Sequence, residues 1–490
     1  MNHFQSQYPD PIDGIDLLPE DDLPANRRIY CNRDLRLDLV EVIGFDMDYT
    51  LALYRQEALD QVTIEATVEK LIRHGYPEAL RHMPLELRFP IRGLLIDKKL
   101  GHIIKADRYG YAKKAFHGTQ LLSSEERRAA YTNNRIRAGT ERFHSIDTLY
   151  AFCEVTLYAA AIDLLDSRGG HVNYDRLFQD VRSCIDEAHR DGSIKDRIIA
   201  DPPRFLRRDN DLGPTLHRLR NAGKRLFLLT NSDGAYTEVV MRYLLGDDPE
   251  TSRWEEFFEV IITDARKPAF FTGQQGFCRY GVPYQIVDSL EPRVIYEGGS
   301  LAEFERLLDI RGDRILYVGD HIFGDVLRAK KVSAWRTLMV IQELTDELAA
   351  YRRFAGEIRK MHGLEQRRYE LLDSLRDRQA RVRSLREKSS GVENEDLELV
   401  ARLARREEQV SAIRLELAGI ENELRDLELR VDRAYHPFWG SPFKAESELS
   451  SFGEQVESYA CLYTDRVTNL LHYPPTHFFR GPRHRMAHEP

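Results

Sequence analysis

Four short apolar runs organise the first two thirds of the chain. They are Leu39-Val40-Glu41-Val42-Ile43-Gly44-Phe45, Arg225-Leu-Phe-Leu-Leu229, Val260-Ile-Ile-Thr263 and Arg314-Ile-Leu-Tyr-Val-Gly319. Each is too short for a helix and aliphatic on successive positions, the pattern of a strand buried on both faces of a parallel sheet. Between the first two runs the period changes. Ala66–Arg73 is amphipathic with a stop at Gly75, and Gly93–Asp97 followed by His102–Lys105 reads as a hairpin. Helices are predicted over Ile146–Leu165, apolar on most sides, and over Tyr174–Arg190. Beyond Thr345 the chain turns to Arg, Glu, Leu and Ala. Val410, Ile413, Leu417, Ile420, Leu424, Leu427 and Val431 then repeat at alternating three- and four-residue spacing. That is a coiled-coil seam, with a weaker partner at Leu371, Leu375, Val382 and Leu385. Turn residues at Lys388–Glu395 let the two helices fold into an antiparallel hairpin over residues 345–432.

The strand ends carry the chemistry. In an open α/β sheet, ligands bind beyond the carboxyl ends of the strands. The first run delivers Asp46 and Asp48 there, and the fourth delivers Asp320 and, five residues on, Asp325. Unpaired acids in such a place are costly unless a cation or a chemical step uses them. The second run ends in Thr230-Asn231-Ser232. The third leads to Lys267, which precedes Pro268 and so cannot lie mid-helix.

Taken together these four motifs resemble the haloacid dehalogenase (HAD) superfamily of phosphotransferases. Gly44-Phe-Asp-Met-Asp-Tyr-Thr-Leu51 and Gly319-Asp-His-Ile-Phe-Gly-Asp325 resemble its cytosolic purine 5′-nucleotidase branch, as do His436-Pro and Asn469-Leu-Leu-His-Tyr-Pro474 in the tail. The resemblance implies a HAD-like, doubly wound parallel sheet built from residues 28–58 and 213–344. It also implies a cap over 59–212 and a segment over 433–490 that packs on the core, while Pro9, Pro11, Pro19, Pro24 and the acidic Glu20-Asp21-Asp22 mark residues 1–27 as a flexible arm. It lapses across the coiled-coil hairpin. It implies Asp46 as nucleophile, Asp48 as general acid and base, and Thr230 and Lys267 as their catalytic partners. Asp46, Asp48, Asp320 and Asp325 would hold Mg²⁺, and Thr230, Asn231, Ser232 and Lys267 the phosphate.

Substrate contacts are expected from the cap. Arg182, Asp186 and His189 are three and four residues apart and share a helix face. By resemblance that face reads a purine edge, Lys195 reaches phosphate or ribose, and Tyr150 stacks on the base. Ala151 stands where the family has an Asn. Arg137, Asp147, Phe323, Lys331 and Gln455 match positions of an effector site in vertebrate members, with Ser458 replacing a basic residue.

Composition narrows the function. A length of 490 residues exceeds one ordinary core, so the chain divides into two or three units. The net charge of −9 gives no basic excess for nucleic acid, and no apolar run is long enough to span a membrane. No signal peptide is evident, and five scattered cysteines without CxxC spacing point to a reducing cytoplasm rather than zinc or disulfides. The expected activity is Mg²⁺-dependent hydrolysis of purine nucleoside monophosphates through an aspartyl-phosphate, with nucleoside phosphotransfer as a companion reaction. The expected assembly is a homodimer or tetramer, joined through the coiled-coil arm. Two readings compete: a HAD phosphatase acting on another phosphate monoester, and a scaffold that uses the arm while its HAD core is vestigial.

Overall fold

The computed structural model describes residues 22–132, 135–246, 253–282, 285–310, 312–321, 333–389 and 397–482. The chain divides into two compact units, Met1–Thr345 with Pro442–Pro490, and Asp346–Ser441.

The first unit is built on a nine-stranded sheet. Its order is Tyr30–Cys31, Leu462–Thr464, Arg336–Val340, Ile315–Gly319, Val42–Phe45, Arg225–Leu229, Val260–Thr263, Ile295–Gly298 and Phe277–Arg279. The seven inner strands run parallel and the two edge strands antiparallel. Val42–Phe45 is buried at every residue, as its unbroken apolar run predicts for a strand covered on both faces. From it the chain builds outward through Arg225–Leu229, Val260–Thr263 and Ile295–Gly298. It then returns to the other side with Ile315–Gly319 and Arg336–Val340. The order therefore reverses between Val42–Phe45 and Ile315–Gly319, the topological switch point where doubly wound folds bind ligands. Register sharpens this: Val42 pairs with both Arg225 and Ile315, and Phe45 with both Leu228 and Val318. The three strands end level, so the residues after them share one rim.

The tail does more than pack on the core. Leu462–Thr464 enters the sheet beside Arg336–Val340, and Tyr30–Cys31 pairs with its far side. Three residues are too few to show a strand period, which is why the sequence gives no sign of it. Of the N-terminal arm, only residues 22–27 are described. Leu23 there is buried, and Arg27 lies 3.1 Å from Asp211.

The segment between the first two motifs leaves through Leu53–Tyr54 and returns through Leu206–Arg207. These two short strands pair with each other, Tyr54 opposite Leu206. Inside it lies a five-stranded antiparallel sheet in the order Gln120–Leu121, Ala112–His117, His102–Ala106, Leu94–Asp97, Phe143–Ile146. The predicted hairpin is its middle pair. Ile146 closes a strand and does not open a helix. A 3-10 turn, Leu149–Ala151, follows, begun by Thr148 accepting from the Tyr150 N–H, and the helix proper is Phe152–Ser167. Every residue from Phe152 to Ile162 is buried, consistent with a sequence that is apolar all round. The helix Tyr174–Arg190 has the predicted bounds, with Asn173 as its N-cap.

In the second unit, helices Ala355–Ser389 and Leu397–Tyr435 pack through Leu371, Ile413, Leu417, Ile420 and Leu424. Lys360 pairs with Glu423, Arg367 with Glu416 and Arg386 with Glu407, so the helices run antiparallel. Residues 390–396 of the expected turn lie outside the described residues. Among the described residues no helix is long and apolar enough to cross a membrane.

Gly44 faces the flat of a neighbouring ring: a Cβ there would sit 2.1–2.5 Å from three atoms of Phe227. Gly44→Ala should therefore destabilise the fold by about 1–3 kcal/mol through overpacking. A fall in the urea midpoint at unchanged m-value would show it; an unchanged midpoint would mean that Phe227 yields without cost.

Candidate active site

Asp46 follows the central strand directly. Its N–H donates to the Val318 carbonyl at 2.8 Å, continuing the ladder and fixing where the carboxylate begins. Oδ1 accepts the Met47 N–H at 2.8 Å and lies 2.9 Å from Lys267 Nζ. Lys267 is buried too, and its ammonium donates to the Tyr317 hydroxyl at 2.9 Å, which donates onward to the Leu229 carbonyl at 3.2 Å. The loop carrying it is braced by Asn231, whose amide donates to the Lys267 carbonyl at 3.0 Å and accepts its N–H at 2.6 Å. Asp264 and Arg266 hold left-handed backbone in the same loop, with φ of 47° and 57°, a conformation that costs non-glycine residues energy and gathers at functional sites.

After Asp46 the chain reverses sharply. The Met47 carbonyl accepts N–H groups from Thr50, Leu51 and Ala52, and Tyr49 takes φ of 58°. Asp48 is thereby aimed back over the rim. Its Oδ1 accepts from the Tyr54 hydroxyl at 2.6 Å and its Oδ2 from the Ser232 hydroxyl at 2.7 Å. Tyr54 and Tyr236 hydroxyls lie 2.8 Å apart. Burial pushes both phenols well above the ordinary tyrosine range, so both stay protonated.

A cleft of about 500 Å³ opens over these groups. Asp46, Asp48, Asp320, Asn231, Ser232 and Lys267 line it from the sheet rim, and Tyr150, His189 and Lys195 from the inserted segment. Thr230 is fully buried and does not line it; its hydroxyl accepts the Ser232 N–H at 3.1 Å. The Tyr150 and His189 rings are 4.7 Å apart at 40°. Burial, with the Lys195 charge adding to it, brings the His189 pKa down to about 4, which leaves a neutral imidazole at pH 7. Lys195 Nζ is 2.5 Å from Asp233 Oδ2. Arg182 and Asp186 are not among the lining residues. Arg182 Nε lies 3.5 Å from Oε2 of Glu154, a buried acid that the sequence reading passed over. A lone Glu inside the apolar Phe152–Ile162 stretch was the available signal.

Asp320 is held from behind by a group with no sequence signature. Arg92, completely buried, donates to the Asp320 carbonyl at 2.9 Å and clamps Glu343 through two bonds of 2.6 and 2.5 Å. Asp325, Phe323 and Lys331 lie outside the described residues. Of the remaining expected effector residues, Arg137 is exposed and Gln455 half-buried. Asp147 is buried, accepts from Ser145 at 2.5 Å, and is raised by burial to about 6. Among the described residues no cage of three or more His, Cys, Asp or Glu is already gathered.

Glu154 gives a pH test of the inserted segment. Burial raises its carboxyl from 4.5 to about 7, Arg182 offsetting part of the effect. The folded state thus binds this proton more tightly than the unfolded one. The associated stability is fully present below the unfolded pKa and is lost as pH rises through about 7. Glu154→Gln, a neutral isostere, should gain on wild type by about 2–3 kcal/mol between about pH 5 and pH 8. Urea midpoints at the two pH values measure it; a difference independent of pH would mean that Glu154 is ionised in the folded protein.

Comparison with known proteins agrees with the motifs. The model of the 5′ nucleotidase family matches residues 29–490. A 5′-nucleotidase domain-containing protein of Dictyostelium discoideum is 27% identical over 94% of this chain and 74% of its own length. 5′-Nucleotidase domain-containing protein 2 is 31% identical in both Rattus norvegicus and Homo sapiens, over 71% and 68% of this chain. The matches span 65% and 66% of those two relatives. Among solved structures, a HAD phosphatase from Thermococcus onnurineus is 16% identical with a TM-score of 0.25, over 62% of this chain and 87% of that one. With its family model spanning nearly the whole sequence, the chain belongs to the 5′ nucleotidase family.

Proposed function

We propose that the protein is a Mg²⁺-dependent 5′-nucleotidase that hydrolyses purine nucleoside monophosphates. The observation that carries this reading is one cleft in which Asp46, Asp48, Asp320 and buried Lys267 face the Tyr150–His189 ring pair. A phosphate ester needs position and positive charge from its catalyst, and a base needs flat apolar surface. Three carboxylates beside Lys267 leave an excess of negative charge and present only hard oxygens, a set that suits Mg²⁺. Asp46, the Asp48 carbonyl, Asp320 and Asp325 would hold the ion, which would supply positive charge beside the phosphoryl oxygens.

The protein's own groups account for the rest. An Asp46 oxygen attacks phosphorus in line and forms the O–P bond of an aspartyl-phosphate. The bond from phosphorus to the 5′ oxygen breaks, its electron pair goes to that oxygen, and Asp48 supplies the proton. A water then attacks phosphorus while Asp48 takes its proton, and the pair of the breaking bond returns to the Asp46 carboxylate. Lys267 steadies charge on Asp46 and the transferred group, and Ser232 and Asn231 border the phosphate. A nucleoside hydroxyl taking the place of water would give phosphotransfer. Free cysteines at all five positions accord with a reducing compartment. The paired helices of Asp346–Ser441 are the surface we assign to self-association, as a dimer or tetramer.

Arg182 turned toward Glu154 favours a second reading, a phosphatase for another phosphate monoester, because the purine-edge contacts then go unused. Phosphate release from nucleoside monophosphates and sugar phosphates, with and without EDTA, separates the two. Purine monophosphates should be preferred, and EDTA should abolish turnover until Mg²⁺ is restored. Asp46→Asn should lose activity at least about 100-fold, since an amide is a poor nucleophile and ligand. Tyr150→Ala, which removes the ring that lines the cleft beside His189, should raise KM for a purine monophosphate roughly 3- to 10-fold and leave a sugar phosphate unaffected. Turnover insensitive to EDTA, or an active Asp46→Asn protein, would overturn the mechanism; a preference for sugar phosphates would install the second reading.

A further inference from the structure

Asp48 has both carboxylate oxygens engaged by neutral hydroxyls, Tyr54 on Oδ1 at 2.6 Å and Ser232 on Oδ2 at 2.7 Å. A phenol carries one proton. With Tyr54 donating to Asp48, its oxygen is left to accept, and the group 2.8 Å away is the Tyr236 hydroxyl. The result is a directed chain, Tyr236 to Tyr54 to Asp48. An ordinary buried tyrosine satisfies its hydroxyl on any carbonyl within reach. Here two buried phenols spend theirs in series on a single carboxylate.

Each tyrosine is itself anchored. Tyr54 lies in the Leu53–Tyr54 strand, opposite Leu206, where the chain leaves for the inserted segment and where it comes back. Tyr236 lies in the first turn of the helix Gly234–Leu245, and its N–H donates to the N-cap Asp233 at 2.9 Å. The other Asp233 oxygen holds Lys195 at 2.5 Å, and that ammonium sits 5.4 Å from the Tyr236 ring centre. Lys195 comes from the inserted segment, so the chain of contacts runs from the cap to the carboxylate beside the leaving oxygen.

We propose that Tyr54, backed by Tyr236, is a positioning residue that sets the Asp48 carboxyl for proton delivery to the leaving oxygen. The proposal rests on the nucleotidase reading above. Neither tyrosine touches the reacting atoms; both act through Asp48. Their effect must therefore scale with how much the leaving group needs a proton. A nucleoside alkoxide needs one as its bond to phosphorus breaks, whereas p-nitrophenolate departs unaided.

The test compares kcat/KM for a purine nucleoside monophosphate and for p-nitrophenyl phosphate in the full-length protein with Mg²⁺. This parameter reports steps up to release of the leaving group, so the later hydrolysis of the aspartyl-phosphate does not enter. Tyr54→Phe should lower kcat/KM for the nucleotide about 10- to 100-fold and leave the nitrophenyl ester within about threefold. Tyr236→Phe removes only the far hydroxyl and should act in the same direction by less, which keeps the proposal testable if Tyr54→Phe folds poorly. Equal losses on both substrates would assign the tyrosines a structural role and overturn the proposal, as would no loss on either. A wild-type protein inactive on every phosphate ester would instead overturn the nucleotidase reading and carry this proposal down with it.

Discussion

The contact between Lys267 and Asp46 is what allows the rest of the rim to exist. Three carboxylates, Asp46, Asp48 and Asp320, converge on one cleft, and repulsion among them would favour protonation or local opening. A buried ammonium 2.9 Å from the first of them relieves this, but burying that ammonium carries its own desolvation cost of several kcal/mol. The fold repays that cost with placement. Tyr317 supplies the second partner of Nζ, Asn231 clips the backbone on both sides, and the left-handed residues Asp264 and Arg266 bend the loop to reach. Asn231 and the loop of Asp264 and Arg266 follow strand ends and Tyr317 lies within Ile315–Gly319, and the strands end level because Val42 pairs in the same register on both sides.

That dependence explains which parts of the site could be read from the sequence. Asp46, Thr230 and Asp320 each follow an apolar run directly and Lys267 lies four residues past one, so strand prediction places them near one rim. The supporting groups lack such a marker. Arg92 and Glu343 meet across 251 positions of sequence, and nothing in the local pattern of either announces the other. Tyr54 sits in a strand of two residues, below the length at which alternation can be seen. The tail strand Leu462–Thr464 was hidden for the same reason, and the inserted sheet showed only its middle hairpin, because Ala112–His117 carries Lys113 and Lys114 in place of an apolar run. The helix predicted from Ile146 was displaced because a buried strand and a buried helix look alike in a short apolar run. Thr148, capping the turn that follows, marked the true boundary.

The inserted segment shows a division between what closes the cleft and what supports it. Tyr150, His189 and Lys195 reach the cleft, while Arg182 lies against Glu154 one layer back. Helix spacing puts Arg182, Asp186 and His189 on one face over two turns, but it cannot say which part of that face meets a cavity. Burial decides it. His189 loses its charge and becomes a flat partner for Tyr150, and Glu154 retains a proton well into the range where an exposed acid would have lost it. Both effects arise from desolvation, in His189 at the cleft and in Glu154 behind it.

The helical unit follows a different logic from the sheet. Its seam of Leu371, Ile413, Leu417, Ile420 and Leu424 is satisfied within the hairpin, and its charged pairs are exposed. Exposed pairs contribute only about 0–1 kcal/mol each, so the seam carries the stability and the charges fix register and direction. None of the four motifs lies in this unit, and the proposed chemistry uses none of its residues. The constraint on its sequence is therefore the seam's spacing and the sign of facing charges, which is why its two helices are legible in the sequence.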